Sequence, residues 1–226
     1  GKTRQRAGAR RGTRRRTCRR AHAGSRRGVR AAAALELEQG RLRAQQVVFA
    51  TNAQALDLAG LEGRTQPKFT LAAATAPLGE SALEAIGLAQ RKAFYTNDLP
   101  YLWGRVLANG GVVFGAGLVH LNDWHEFDTL DVAAGQPAEL IAALERRVRV
   151  LDPALRAVEF THRWGGPILF GNAWRPVFSR HPRSPHALVL GAYSWHGVAQ
   201  SVYLGRWAAE TLLGEREPPP WGAIGP

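Results

Sequence analysis

All of the chain's net charge sits in its first 30 residues, and that segregation decides where a fold can begin. Residues 1–30 hold Lys2 and twelve Arg with no acid, +13 in all, while the whole 226-residue chain carries +12. Residues 31–226 are therefore close to neutral, at −1. The high isoelectric point belongs to an arm and is no argument for a nucleic-acid-binding fold. Val29 is the arm's only aliphatic residue beyond Ala. Thirteen like charges with nothing to bury predict disorder over 1–30. Two readings of the arm stay open: an Arg/Ala/Gly translation of a shifted frame, or a solvated basic tail. A tail would hold polyanions only nonspecifically, because no aromatic is interleaved to stack on bases. No apolar stretch follows Arg14, Arg15 and Arg16, as a twin-Arg export signal would need.

From residue 31 the chain has the material for a core, with 45% hydrophobic residues overall and seven Trp. One Cys excludes a disulfide scaffold and a Cys-based zinc site. The seven His lack metal-site spacing, so no metal is expected. The longest apolar run, residues 110–119, falls well short of a membrane span. A cytoplasmic chain without a membrane span is expected.

Periodicity then places elements. Leu35 and Leu37 alternate with Glu36 and Glu38, and a second strand runs from Leu42 to Phe49. Residues 53–61 suit a turn or two of helix, and 68–75 a strand. Residues 101–107 and 112–114 flank Asn109-Gly110, a hairpin turn. A helix begins at Pro137, buries Leu140, Ile141, Leu144, Val148 and Leu151, and stops at Pro153. Residues 159–164 and 187–190 read as strands. The last helix runs from near Ser194 to Leu213, with Val198, Val202, Gly205, Ala209 and Leu212 expected against a sheet and Gly214 as its stop. Pro218 to Pro220 belong to a tail.

Three short stretches carry the chemistry. Val47-Val48-Phe49-Ala50-Thr51-Asn52-Ala53 is an apolar strand ending in small polar residues, where backbone can approach a ligand. His162-Arg163-Trp164-Gly165-Gly166 follows. Gly191-Ala192-Tyr193-Ser194-Trp195-His196-Gly197-Val198 leads into a helix N-terminus, whose free N–H groups and partial positive charge suit an electron-rich oxygen. With Tyr101 to Gly117 and Arg175-Pro176, these stretches over roughly residues 30–215 resemble the C-terminal part of the D-amino acid oxidase-like FAD-dependent oxidoreductases. That group includes glycine, sarcosine and γ-glutamylputrescine oxidases.

The resemblance implies an α/β to α+β chain: the C-terminal part of a FAD-binding dinucleotide fold interleaved with a mixed-sheet substrate domain. Its divisions would be a disordered arm (1–30), the remainder of the FAD-binding domain (31–60 and 160–215), a substrate domain (61–159) and a tail (216–226). It implies FAD as cofactor and oxidation of a small amine or amino acid, with hydride transfer from the substrate C–N bond. Cofactor contacts would come from Ala50, Thr51, Asn52, Gly165, Ser194, Trp195, His196, Gly197 and Val198, and substrate contacts from Arg105, Arg175 and Tyr101. No acid–base catalyst is nameable, and the oligomeric state is undetermined. Two departures stand out: Trp195 occupies a position where that family has Gly, and no Gly-x-Gly-x-x-Gly occurs to cradle a pyrophosphate. A truncated chain is therefore expected. The alternative is a non-catalytic remnant or pseudo-enzyme with a polyanion-binding tail.

Overall fold

The structure, a computed structural model, describes residues 18–24 and 32–221. They form a mixed α/β arrangement of three sheets. The first holds β1 (Cys18–Gly24), β2 (Ala32–Leu37) and β3 (Gly40–Ala44), antiparallel in that order. β4 (Val47–Phe49) leaves this hairpin and pairs in parallel with β11 (Ser184–Gly191), whose other edge takes β10 (Val177–His181). The third sheet has five strands in the order β6-β7-β8-β5-β9: β5 (Thr65–Thr75), β6 (Phe94–Tyr95), β7 (Trp103–Val106), β8 (Val112–His120) and β9 (Phe160–Gly171). Four α-helices and three short 3-10 helices complete it, the α-helices being α1 (Leu56–Ala59), α2 (Glu80–Ala85), α3 (Gly135–Leu151) and α4 (Gly197–Leu213).

Several expectations are corrected. The arm was expected to be without structure, yet residues 18–24 pair with β2. Backbone N–H and C=O groups pair whatever the side chains, and a charged stretch is well suited to a sheet edge. The rest of that expectation, at 1–17 and 25–31, lies outside the described residues. The strand expected from Leu42 to Phe49 is two strands in two sheets, broken at Gln45 and Gln46. At the hairpin turn only Gly110 has a positive φ, 86°, while the Asn109 side chain accepts from the Gly111 N–H. The tail is docked over 216–221: Trp207 Nε1 donates to the Glu217 carbonyl, and Arg216 stacks on the Trp207 ring.

The helix α3 buries Ile141, Leu144 and Val148 against one face of the five-stranded sheet, meeting Ala73, Val112, Phe114 and Phe160. Leu151, expected in that stripe, is 49% exposed. The helix α4 is turned relative to expectation. Leu204, Ala208 and Trp207 pack on Phe178, Leu188 and Leu190, leaving Val198 and Val202 88% and 74% exposed. Both sides of this helix are apolar, and the larger side chains bury more area against the sheet.

His181, 3% exposed, ties the second sheet to α1. Its Nε2–H donates to the Leu58 carbonyl at 2.8 Å, and Nδ1 accepts from the Arg183 N–H at 3.1 Å. Both bonds need a neutral ring, and burial holds its pKa below the ordinary 6.5. The unfolded chain then takes up a proton that the folded chain refuses. Stability from this residue is complete above pH 6.5 and drains away as pH falls from there toward the folded value. Melting temperature should drop with acidification below pH 6.5, and His181→Gln should remove that component of the pH dependence.

Candidate functional site

The strand end at β4, the strand end at β11 and the far end of β9 converge on one turn. Parallel pairing sets Val47, Val48 and Phe49 beside Ala187, Leu188 and Val189, so both strands finish at the same level. Asn52 then turns back with φ 50°, and its Oδ1 accepts from the Ala192 N–H at 3.1 Å. From β9, Gly171 N–H donates to Ser194 Oγ at 3.1 Å. The Ser194 N–H donates to the Leu169 carbonyl, and its hydroxyl to the Ala192 carbonyl, both at 3.3 Å. Ser194 is 1% exposed, so its bonds hold the turn and leave it unavailable as a nucleophile.

Backbone strain is concentrated here. Of seven non-glycine residues with positive φ among the described residues, Asn52, Trp174, Ala192, Ser194 and Trp195 lie at this junction. Such conformations cost roughly 1–3 kcal/mol each and gather where ligands are clamped. Phe170, 4% exposed, fixes the aromatic side, with Trp174 at 5.4 Å and Trp195 at 5.3 Å, both edge to face. Lys68 Nζ lies 4.4 Å above the same ring. Burial pushes the Tyr193 phenol up, keeping it neutral. His196 Nδ1 lies 3.1 Å from the Ser194 carbonyl oxygen, which places a proton on that nitrogen. The helix α4 then starts with no side-chain cap, and its first-turn N–H groups lack intrahelical acceptors.

These observations test the chain's fit to a flavin. An uncapped 17-residue helix, a turn of left-handed residues and the buried Trp195 indole N–H with no acceptor all suit a planar group rich in carbonyl oxygens. The pyrophosphate end has no such provision, since the sequence holds no Gly-x-Gly-x-x-Gly. The fit is to the ring end alone.

Of the residues named from sequence, the structure brings Asn52, Ser194, Trp195, His196 and Gly197 together. Ala50 and Thr51 are exposed at the end of β4, and Val198 offers its backbone while its side chain faces outward. Gly165 is turned away: a Cβ there would enter the Phe69 ring, on the face toward α3. Its neighbour Gly166 faces the other way, and a Cβ placed there would have nothing within 4 Å. Residues 164–166 lie four to six positions up β9 from Phe170, about 13–20 Å. The strand's far end, Leu169 to Gly171, meets the turn in their place. Sequence reasoning missed Phe170, Gly171, Trp174 and Lys68, although the apolar run Ile168-Leu169-Phe170 before a glycine could have flagged the first two. Arg105 is exposed on β7, Tyr101 packs edge-on to Tyr95, and Arg175 follows Trp174. No carboxylate among the described residues pairs with either Arg.

Asn52→Ala should cost about 2–3 kcal/mol, from an orphaned Ala192 N–H and an alanine forced to positive φ. Asn52→Asp, which keeps the acceptor, should cost less. Urea unfolding of the two variants measures the difference.

Comparison with known proteins bears on the family and the fold. The family model described as FAD dependent oxidoreductase matches residues 4–211, which includes most of the basic arm. A probable oxidoreductase, OrdL, of Haemophilus influenzae is 26% identical over 179 residues, 76% of this chain and 37% of the relative. Gamma-glutamylputrescine oxidoreductase of Escherichia coli is 25% identical over 189 residues, 82% of this chain and 40% of the relative. Among solved structures, glycine oxidase from Geobacillus kaustophilus superposes with a TM-score of 0.63 at 17% identity, covering 82% of this chain and 46% of that one. The chain thus spans about two fifths of the length of these curated relatives. With the family model matched from residue 4 to residue 211, the chain belongs to the DAO family of FAD-dependent oxidoreductases.

Proposed function

We propose that these residues form the flavin-ring and substrate side of an oxidoreductase acting on the C–N bond of a small amine or amino acid. The observation that carries this reading is the turn at 191–197, bonded to Asn52 and Gly171 and opening α4 without a cap. FAD, when bound, supplies the two-electron acceptor for the oxidation. The chain's own part is positional. The N–H groups of Gly197 and Val198 favour negative charge on a ligand oxygen at the helix end, an effect on the order of 0.3–1 kcal/mol and larger where water is excluded. Phe170, Trp174 and Trp195 wall the turn. Arg105, Tyr101 and Arg175 are assigned to the substrate, with a cation to hold a carboxylate.

The units proposed are 31–60 with 160–215 for the cofactor and 61–159 for the substrate, with β9 shared between them, since its backbone pairs with β5 and its end meets the turn. Because the 226 residues carry no pyrophosphate loop, the proposal assigns them a part of the complete cofactor site. The alternative, a non-catalytic remnant with a polyanion-binding tail, is separated by one titration. Flavin fluorescence and visible absorption are followed as protein is added to FAD at high salt, which suppresses binding through the arm. Saturable perturbation of the ring spectrum supports the oxidoreductase reading. An unchanged spectrum at millimolar protein favours the remnant.

A further inference from the structure

The tail beyond α4 is held by contacts of the kind that bind proline-rich peptides. The family match ends at residue 211, and the tail lies past it. The run Glu217-Pro218-Pro219-Pro220 is extended in advance, because each proline fixes its own φ and pushes the residue before it toward β or polyproline II backbone. Its prolines carry no N–H, so the run offers carbonyl oxygens and apolar rings to whatever holds it. Both are engaged here. Trp207 Nε1 donates to the Glu217 carbonyl at 2.8 Å, Pro219 is buried and Pro218 is half-buried. Tyr203 and Trp221 stand edge to face with the Trp207 ring, at 5.7 and 6.3 Å. Arg216 Cζ lies 3.6 Å from the centre of that ring, and its Nη1 donates to Glu210 Oε2 at 3.1 Å. On its inner side Trp207 packs against Phe178, which anchors this platform in the core. The connection from Leu213 to Arg216 is short and turns at Gly214, with φ 77°.

We propose that the Tyr203–Trp207 flank of α4 is a recognition surface for proline-rich segments, filled by the chain's own tail and open to such a segment of a partner protein when the tail is displaced. Aromatic-lined surfaces are the general means of binding polyproline II backbone, and an indole N–H supplies the donor that its carbonyls lack. The stack of Arg216 on Trp207 adds a preference for a basic residue ahead of the prolines. A segment joined by so short a connection is present at an effective concentration in the millimolar range. It therefore outcompetes a free peptide of the same sequence, which meets only those chains whose tail is off. This surface lies at the far end of α4 from the turn and is independent of the cofactor reading.

The test uses the full chain and an end-capped peptide of residues 216–221, Arg-Glu-Pro-Pro-Pro-Trp, whose zero net charge keeps it off the basic arm. Binding is followed by calorimetry and by fluorine NMR of protein labelled with fluorotryptophan. Pro218→Gly, Pro219→Gly and Pro220→Gly together, which free the tail, should tighten peptide binding about ten-fold over the unsubstituted chain. A peptide with three Ala in place of the prolines should bind that variant about ten-fold more weakly, because its extended form is not fixed in advance. Trp207→Phe, added to the triple substitution, keeps a ring against Phe178 but removes the indole N–H, and should weaken the peptide about five-fold. In the unsubstituted chain, excess peptide should move the Trp221 resonance, assigned from Trp221→Phe, to its position in the triple variant. The resonances of Trp103, Trp124 and Trp164 report that each variant is folded. The proposal is overturned if excess peptide leaves the Trp221 resonance in place, if freeing the tail brings no gain, or if the Ala peptide or the Trp207→Phe chain binds equally well.

Discussion

Titrated with FAD, the 226-residue chain should bind weakly, with a Kd above about 10 µM, and should hold riboflavin within a few-fold as well. The groups proposed for the cofactor would meet a ring: the α4 N-terminus, the Asn52–Ala192 turn and the Trp195 N–H. A full dinucleotide site adds several charge-assisted hydrogen bonds to phosphate, each contributing roughly 1.5–3 kcal/mol. Three of them amount to about 5–9 kcal/mol, or three to six powers of ten in Kd. Near-equal Kd values for riboflavin and FAD are the direct signature of ring-only contact. A submicromolar Kd for FAD with weak riboflavin binding would mean that this chain holds the phosphates by a route its sequence does not show.

Gly171→Ala should unfold or severely weaken the protein, by about 3 kcal/mol or more, while Gly166→Ala should change stability by less than about 0.5 kcal/mol. The two glycines lie five residues apart on one strand. A Cβ at Gly171 would overlap the Arg175 carbonyl oxygen, which is backbone and cannot rotate away. Relieving that clash shifts the Gly171 N–H that donates to Ser194 Oγ, so damage to the turn accompanies the loss of stability. At Gly166 nothing lies within 4 Å. Urea melts of both variants, with the riboflavin titration repeated on each, separate the two positions. Equal stability for the pair would contradict the packing described at the end of β9.

Local pattern made much of this fold legible, and tertiary contact set the rest. The strand at Leu35 to Leu37, the Asn109-Gly110 turn and the stripe Ile141, Leu144, Val148 rest on short-range signals, although Glu38, expected in the alternation, lies in the turn after the strand. The break between β3 and β4 is not short-range: Val47 leaves its hairpin because β11, 140 positions away, offers a parallel edge. The face of α4 was misjudged for the same reason. Val198 and Val202 are as apolar as Leu204 and Ala208, and the choice was made by Phe178 and Leu188 on the sheet. Within the site, Asn52 and Ser194 were readable as small polar residues at element ends. Phe170 and Gly171 were not, because a β-strand shows in sequence which face a residue takes and not which end meets another sheet. Trp195 stands where the resemblance led us to expect Gly, and its φ of 80° is a backbone conformation that favours glycine.

The wide separation of the residues around the turn has a kinetic meaning. Asn52 and Ala192 are 140 positions apart, His181 and Leu58 are 123 apart, and between them the chain must fold its whole five-stranded sheet. Closing a loop of that length is entropically unfavourable until other contacts have already brought its ends near one another. Hairpins such as β7–β8 and β10–β11 can form from local sequence. The parallel seam between β4 and β11, and with it the strained turn, must wait for both. The place where a ligand would be held is therefore the last part of this chain to assemble, and it exists only while every earlier piece stays in place.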